Sequence, residues 1–257
     1  HLPLALAALG ALALTAAVAR PQMPRNVPRE DSTIMLAIDT SGSMAADDVS
    51  PYRLRAAQDA AKTFADRVPA AYQVGLVAFA GSAAVIVPPT TDRDQLRAGI
   101  ESLQAVGATA IGDAIESSLS AIKQSQGGTV RKDSARILLL SDGSNTQGTS
   151  LAQAEDDAQG AGVPVFTVAL GTQDGSLPSG QQVPPDTASL QEIAQRTGGQ
   201  SYVSRDAASV SAVYSHLGRF IGTQRVTREV TGVLAGFGVL ALLLGGAAWW
   251  RWGVRIG

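Results

Sequence analysis

The stretch TIMLAIDTSGS, residues 33–43, decides the fold. Thr33–Ile38 is a short uncharged run with the composition of a buried strand. It stops abruptly at Asp39-Thr40-Ser41-Gly42-Ser43, where small polar residues force a tight loop. A second stretch repeats the design: Arg136–Ser141 (RILLLS) is apolar and runs straight into Asp142-Gly143-Ser144-Asn145. Working outward, amphipathic segments fill the gaps. Ser50-Pro51 reads as an N-cap and first-turn proline, and Leu54, Ala57, Ala61, Phe64, Ala65 and Val68 follow at helical spacing. Tyr72–Ala80 and Ala83–Val87, separated by Gly81-Ser82, read as a hairpin. Helices are expected from about Asp92, with Leu96, Ile100 and Leu103 inward, and around Gly112, with Ile111, Ile115, Leu119 and Ile122 inward. A helix at about 150–160 leads to a third apolar strand, Val163–Leu170. Thr187–Arg196, a short strand at Ser201–Ser204 and a helix at about 206–221 close the domain. Strands alternating with helices predict parallel βαβ units in an α/β fold, with a doubly wound, three-layer sheet. The irregular excursion Thr172–Asp186, rich in Gly, Pro, Ser and Gln, leaves directly from a strand end.

In an open α/β sheet, ligands bind beyond the carboxyl ends of the strands. That rim collects Asp39, Ser41 and Ser43 from the first run and Asp142 from the second. Thr109, in Gly107-Ala108-Thr109 before a helix, joins them. Two carboxylates and three hydroxyls make an oxygen-only set, the preference of a hard divalent cation such as Mg²⁺. Alternation in Asp39, Ser41 and Ser43 lets every second side chain turn toward one point, and Gly42 eases the turn. Taken singly, each residue also suits a turn, an Asx-turn or a helix cap. Asp113 and Asp48 are further acids near the rim. Outer partners that orient ligands is one reading of both. A first-turn carboxylate facing the helix dipole is the other reading of Asp113, and a solvated loop acid the other reading of Asp48.

These residues resemble the metal-ion-dependent adhesion site of von Willebrand factor A domains. Asp39-x-Ser41-x-Ser43, Thr109 and Asp142 match all five positions of that motif, and the resemblance covers about 32–222. It implies a Rossmann-like domain, similar to integrin I domains, with Mg²⁺ as cofactor and Mn²⁺ or Ca²⁺ as alternatives. The two serines and, depending on state, the threonine would bind the metal directly, the aspartates often through water. The position left over would take an acidic side chain of a protein partner. The apolar ends and Gly198-Gly199-Gln200-Ser201-Tyr202 resemble bacterial membrane-anchored members of the Bat type. That resemblance implies an adaptor or scaffold in a membrane complex, acting in envelope stress or protein maturation. Other domains of the same kind and a MoxR-type AAA+ ATPase are the implied partners, with the domain outside the cytoplasm.

Enzyme readings fare worse. A phosphatase using Asp39 as nucleophile beside Mg²⁺ wants a second acid two residues on, where this chain has Ser41. An aspartic protease needs an all-β frame for its carboxylate pair. A Ser-His-Asp hydrolase needs a placed histidine, and His216 falls among Val213, Leu217 and Phe220 on an expected helix. No Gly-Lys-Ser/Thr phosphate loop is present.

Composition fits a charge-poor chain: 257 residues, 16% charged, no Cys and two His. Zero Cys removes disulfides and thiolate metal sites. Residues 2–19 and 230–250 hold no charge, so the acids, all 22 of them, lie between, and no basic stripe suited to nucleic acid appears. Val230–Trp250, followed by Arg251 and Trp252, has the length and aromatic edge of a membrane span. Leu2–Ala19 reads as a second span or as a signal-like segment ending in Ala17-Val18-Ala19. The expected organisation is a span over 1–19, a Pro-rich linker over 20–31, the domain over 32–225, a span over 230–250 and a short basic tail over 251–257. The opening His1 suggests that upstream sequence is missing.

Overall fold

The computed structural model describes residues 2–19, 22–28, 32–131, 134–177, 179–204, 209, 223–229 and 231–253. In chain order its elements are α1 (Leu2–Val18), β1 (Gln22–Pro28), β2 (Thr33–Asp39), α2 (Arg53–Arg67), β3 (Gln73–Phe79), β4 (Ala83–Thr90), α3 (Arg93–Glu101) and α4 (Ile111–Ser125). There follow β5 (Ala135–Ser141), α5 (Leu151–Gly160), β6 (Val165–Leu170), α6 (Thr187–Thr197), β7 (Ser201–Ser204), β8 (Thr223–Glu229) and α7 (Thr231–Gly253). They form two compact units: His1–Pro28 with Thr223–Gly257, and Arg29–Gly222.

In the central unit six strands lie in the order β4-β3-β2-β5-β6-β7. All neighbours are parallel except β4, which returns antiparallel to β3 through the Gly81-Ser82 turn, as its hairpin pattern predicts. The two strongest apolar runs, β2 and β5, are adjacent at the centre, and every residue of β2 is buried. Strand side chains alternate between faces, so β2 feeds two cores. Ile34, Leu36 and Ile38 pack with Leu54, Ala57 and Phe64 of α2 and with Leu96 and Ile100 of α3. Met35 and Ala37 pack on the other side with Ile111, Ile115 and Leu119 of α4 and with Ala154 and Ile193 of α5 and α6. This is the expected doubly wound, mostly parallel sheet. Edge strand β4 carries Pro88 and Pro89, tolerated where no further strand needs the missing N–H.

Local signals explain three of the helix starts in the central unit. Asp92 caps α3, its Oδ1 accepting from the N–H groups of Asp94 at 2.9 Å and Gln95 at 3.0 Å. Ser150 and Asp186 cap α5 and α6 in the same way. The helix expected to start at Ser50-Pro51 instead starts at Arg53, with Tyr52 in the cap position. The Arg53 N–H bonds the Ala46 carbonyl at 2.9 Å, so residues 46–52 close a loop before the helix begins. Apart from Ser209, the helix expected over 206–221, with His216, lies outside the described residues.

The end unit differs from the expected layout. The predicted linker over 20–31 contains β1, which pairs antiparallel with β8 from Gln22↔Glu229 to Pro28↔Thr223. Residues 223–225, expected within the central domain, therefore belong to this ribbon. Helices α1 and α7 pack where glycines allow close approach. A Cβ on Gly10 would sit 2.9 Å from the Gly238 carbonyl, and one on Gly238 would sit 2.8 Å from Leu14 Cγ. Both runs expected as spans are helical, but among the described residues no helix is long and apolar enough to cross a membrane. The expectation of two transmembrane helices is corrected accordingly. The 17 residues of α1 rise about 26 Å, short of a hydrocarbon core of about 30 Å.

Candidate metal centre

The rim at the carboxyl ends of β2 and β5 is assembled by short polar contacts. β2 ends on Asp39, whose Oδ1 accepts the Ser41 N–H at 2.7 Å while Oδ2 accepts the Ser141 hydroxyl. A 3₁₀ turn, Gly42–Ala45, follows and carries Ser43. The Ser41 and Ser43 hydroxyls lie 3.0 Å apart, and Ser43 donates to Asp142 Oδ1 at 2.6 Å. The Gly107–Thr109 segment is laid against this loop by the Gly42 N–H bonding the Gly107 carbonyl at 2.9 Å. Thr109 is fixed further by bonds with Thr146, and its hydroxyl stands 3.5 Å from where a Cβ on Gly143 would be. Asp39, Ser41, Thr109 and Asp142 are buried and Ser43 is half-buried. Asp39, Ser41, Ser43 and Asp142 are thus linked side by side on the rim, and the segment carrying Thr109 lies against the same loops.

The two acids predicted as outer partners part company. Asp48 reaches the centre through Arg53: it accepts from Nε and Nη2 at 2.7 Å each, while Nη1 donates to Asp142 Oδ2 at 2.6 Å. Asp113 turns to Thr149 instead, accepting from its N–H and hydroxyl at 2.8 Å each. It holds the start of α4 against the loop after β5, as does Asn145, whose Oδ1 accepts the Ile111 N–H at 2.7 Å. The excursion Thr172–Asp186 returns to the rim at both ends. Thr172 donates to Asp48 through N–H and hydroxyl, and the Asp186 N–H bonds the Asp142 carbonyl at 3.2 Å.

Arg53 is the site residue that the sequence reading missed. It is wholly buried, yet it occupies the opening position of the stripe Ala56, Ala57, Ala60, Ala61 that packs α2 on the sheet. A charge at a position where spacing calls for an apolar side chain was the available signal, because a buried cation demands acidic partners.

The charge balance shows how well the residues suit a cation. Among the described residues no group of three or more His, Cys, Asp or Glu is placed to hold a metal, so hydroxyls must complete any set. Asp39 is buried with neutral partners, and burial first, then the nearby Asp142, push its pKa up to about 7. The rim thus carries a carboxylate that lacks positive charge, inside a ring of oxygen donors, and a divalent cation would supply it. The donor set fits Mg²⁺ or Mn²⁺.

A pH effect follows. Between an ordinary carboxyl pKa near 4 and about 7, the unfolded chain releases the Asp39 proton while the folded chain keeps it. Folding stability without metal is therefore full at acid pH and falls as pH rises through this window, by up to a few kcal/mol. Denaturant titrations in chelator at pH 5 and pH 8 should show wild type losing stability relative to Asp39→Asn. Parallel pH profiles for the two chains would contradict the shift.

Comparison with known proteins agrees with the fold. A model of the von Willebrand factor type A domain matches residues 34–145. Among solved structures, an aerotolerance-related membrane protein from Bacteroides fragilis superposes with a TM-score of 0.63 at 25% identity, covering 74% of this chain and 99% of its own. BatB from Bacteroides thetaiotaomicron superposes at 0.61 with 25% identity, covering 73% and 98%. A UPF0353 protein of Mycobacterium tuberculosis is 38% identical over 260 residues, spanning 96% of this chain and 78% of the relative. At that identity and coverage the chain belongs to the UPF0353 family, and its central unit is a von Willebrand factor type A domain similar to those of Bat-type proteins.

Proposed function

We propose that this protein is a membrane-associated adaptor that recognises a protein partner through a divalent cation, Mg²⁺ in the first instance. The observation that carries the reading is the hydroxyl–carboxylate chain Ser41–Ser43–Asp142 beside Asp39, a buried carboxyl with no cationic partner. Ser41, Ser43 and Thr109 would hold the cation, and Asp39 and Asp142 would offset its charge. A bound cation supplies electrostatic attraction for an acidic side chain in a site where water screens little. The loops around the rim, Ser144–Gly148 and Thr172–Asp186, would contact the rest of the partner. Binding rather than turnover suits the geometry: Asp39 is fully buried with both oxygens engaged, which leaves no face for attack on phosphorus. Arg53 has no exposed surface with which to meet a phosphate.

Membrane association rests on the end unit. Its paired helices are uncharged from 2 to 18 and from 231 to 250, and they expose Leu9, Leu12, Phe237, Leu243 and Trp250. The Bacteroides fragilis neighbour is itself described as a membrane protein. We place the central domain outside the cytoplasm, in a complex with related domains and a MoxR-type ATPase. Protease should digest the domain on intact cells, and digestion only in inverted vesicles would contradict that placement.

The adaptor reading is tested by recovering the intact protein from its own membranes with Mg²⁺ and with chelator. Partners held with Mg²⁺ should be lost with chelator and lost by Asp39→Ala. The same partners retained under all three conditions would refute metal-bridged recognition.

A further inference from the structure

The cation reading gives Arg53 no task, yet its placement is costly and specific. The guanidinium is wholly buried, and its fork spans two carboxylates: Nε and Nη2 meet Asp48, and Nη1 meets Asp142 Oδ2. The other oxygen of Asp142 takes the Ser43 hydroxyl at 2.6 Å. Both oxygens of Asp142 are therefore engaged, and a fixed positive charge stands on the far side of that carboxylate from Ser43. The fork is also fitted into space that two glycines keep open. A Cβ on Gly171 would lie 2.6 Å from Arg53 Cζ, and one on Gly175 would lie 2.1 Å from Nη2 and 2.5 Å from Asp48 Oδ2. Asp48 Oδ2 in turn accepts from the Thr172 N–H at 2.6 Å and its hydroxyl at 3.0 Å.

The geometry points to Arg53 as a positioning residue that holds Asp142 back from the cation, so that the centre stays short of negative charge and a partner's carboxylate becomes the favoured further ligand. This rests on the reading that the rim takes a divalent cation. The physical basis is twofold. A guanidinium bound to two carboxylates is a rigid fork, so Asp142 cannot swing without breaking a charge-assisted bond. A full charge this close, with little water between, also lowers the attraction of the site for any cation. Because Gly171 and Gly175 frame the fork, the opening turn of the Thr172–Asp186 excursion sets where Arg53 sits. A contact made on that turn would thereby reach the centre.

The test uses the full chain in detergent, with Mn²⁺ as probe of the centre and acetate as probe of the vacant ligand position. Paramagnetic resonance titration gives both affinities. Arg53→Gln removes the charge and should bind Mn²⁺ about tenfold more tightly, while its Mn²⁺-loaded form binds acetate several-fold more weakly. Arg53→Lys keeps the charge and should bind Mn²⁺ within about threefold of wild type. Should Arg53→Gln yield too little folded protein, Gly175→Ala decides: its methyl group must displace the fork without changing any charge, and it should shift both affinities in the same opposed directions. A structural role alone would not move the two affinities apart. Wild-type affinities in folded Arg53→Gln and Gly175→Ala, or both affinities falling together, would overturn the proposal and leave the cation reading intact. A wild-type chain that binds no Mn²⁺ would overturn both.

Discussion

Arg53→Met is expected to destabilise the central domain by about 3–5 kcal/mol, the usual result of removing one partner from a buried ion pair. The arginine is the largest fully buried side chain among the described residues, and it compensates two acids. Methionine fills much of the volume and suits the apolar stripe of α2, so packing alone would forecast a small change. The electrostatic effect decides the outcome: Asp142 and Asp48 would be left near Asp39 with no cation between them, and a buried, unpaired carboxylate costs far more than a methionine misfit gains. The contrast is the pair Arg97–Asp66, at 2.7 Å and well exposed. Water screens it, and Arg97→Met should leave stability nearly unchanged. Denaturant unfolding of both variants in chelator measures the difference. Equal, small losses would show that Arg53 is held by packing and not by its acids.

Gly112→Ala is the second change with a large expected effect, and two contributions oppose each other. Alanine favours a helix by up to about 1 kcal/mol over glycine. Here, however, the added Cβ would lie 2.1 Å from the Thr149 carbonyl oxygen and 2.8 Å from its carbon. That neighbour is backbone, so no side-chain rotation relieves the clash. The 145–149 loop must move away from the start of α4. The same loop is bound to α4 by Asp113–Thr149 and Asn145–Ile111, and to Thr109 by Thr146. Overpacking of this kind costs about 1–3 kcal/mol, enough to outweigh the helix preference. Because Thr109 moves with the loop, Mn²⁺ affinity should fall together with the melting temperature. A more stable Gly112→Ala protein would show that the loop yields freely.

The architecture was legible because its determinants are local and repeated. TIMLAI and RILLLS are too apolar for anything but central strands, and they became the adjacent pair β2 and β5. Gly81-Ser82, Asp92 and Ser150 acted as the turn and caps that their chemistry predicts. The shared rim was legible for a related reason: sharp strand ends bring Asp39 and Asp142 to the same edge of the sheet whatever the loops do. What escaped depends on long-range pairing. Arg53 meets Asp142 across 89 residues, and no periodicity announces that contact. The same pairing explains the late start of α2, since the loop over 46–52 must fold back before Arg53 can enter the core. The ribbon β1–β8 joins segments some 200 residues apart, and β1 contains Pro24 and Pro28, so composition read as a linker.

The central claim is that the rim holds one divalent cation, and the direct measurement is a Mn²⁺ titration of the full chain followed by paramagnetic resonance. Wild type should bind one equivalent saturably and release it to Mg²⁺. Asp39→Ala and Asp142→Ala should each lose this binding, while Asp113→Asn, whose contacts lie with Thr149, should keep it. Saturable Mn²⁺ binding that survives in both Asp39→Ala and Asp142→Ala would contradict the account.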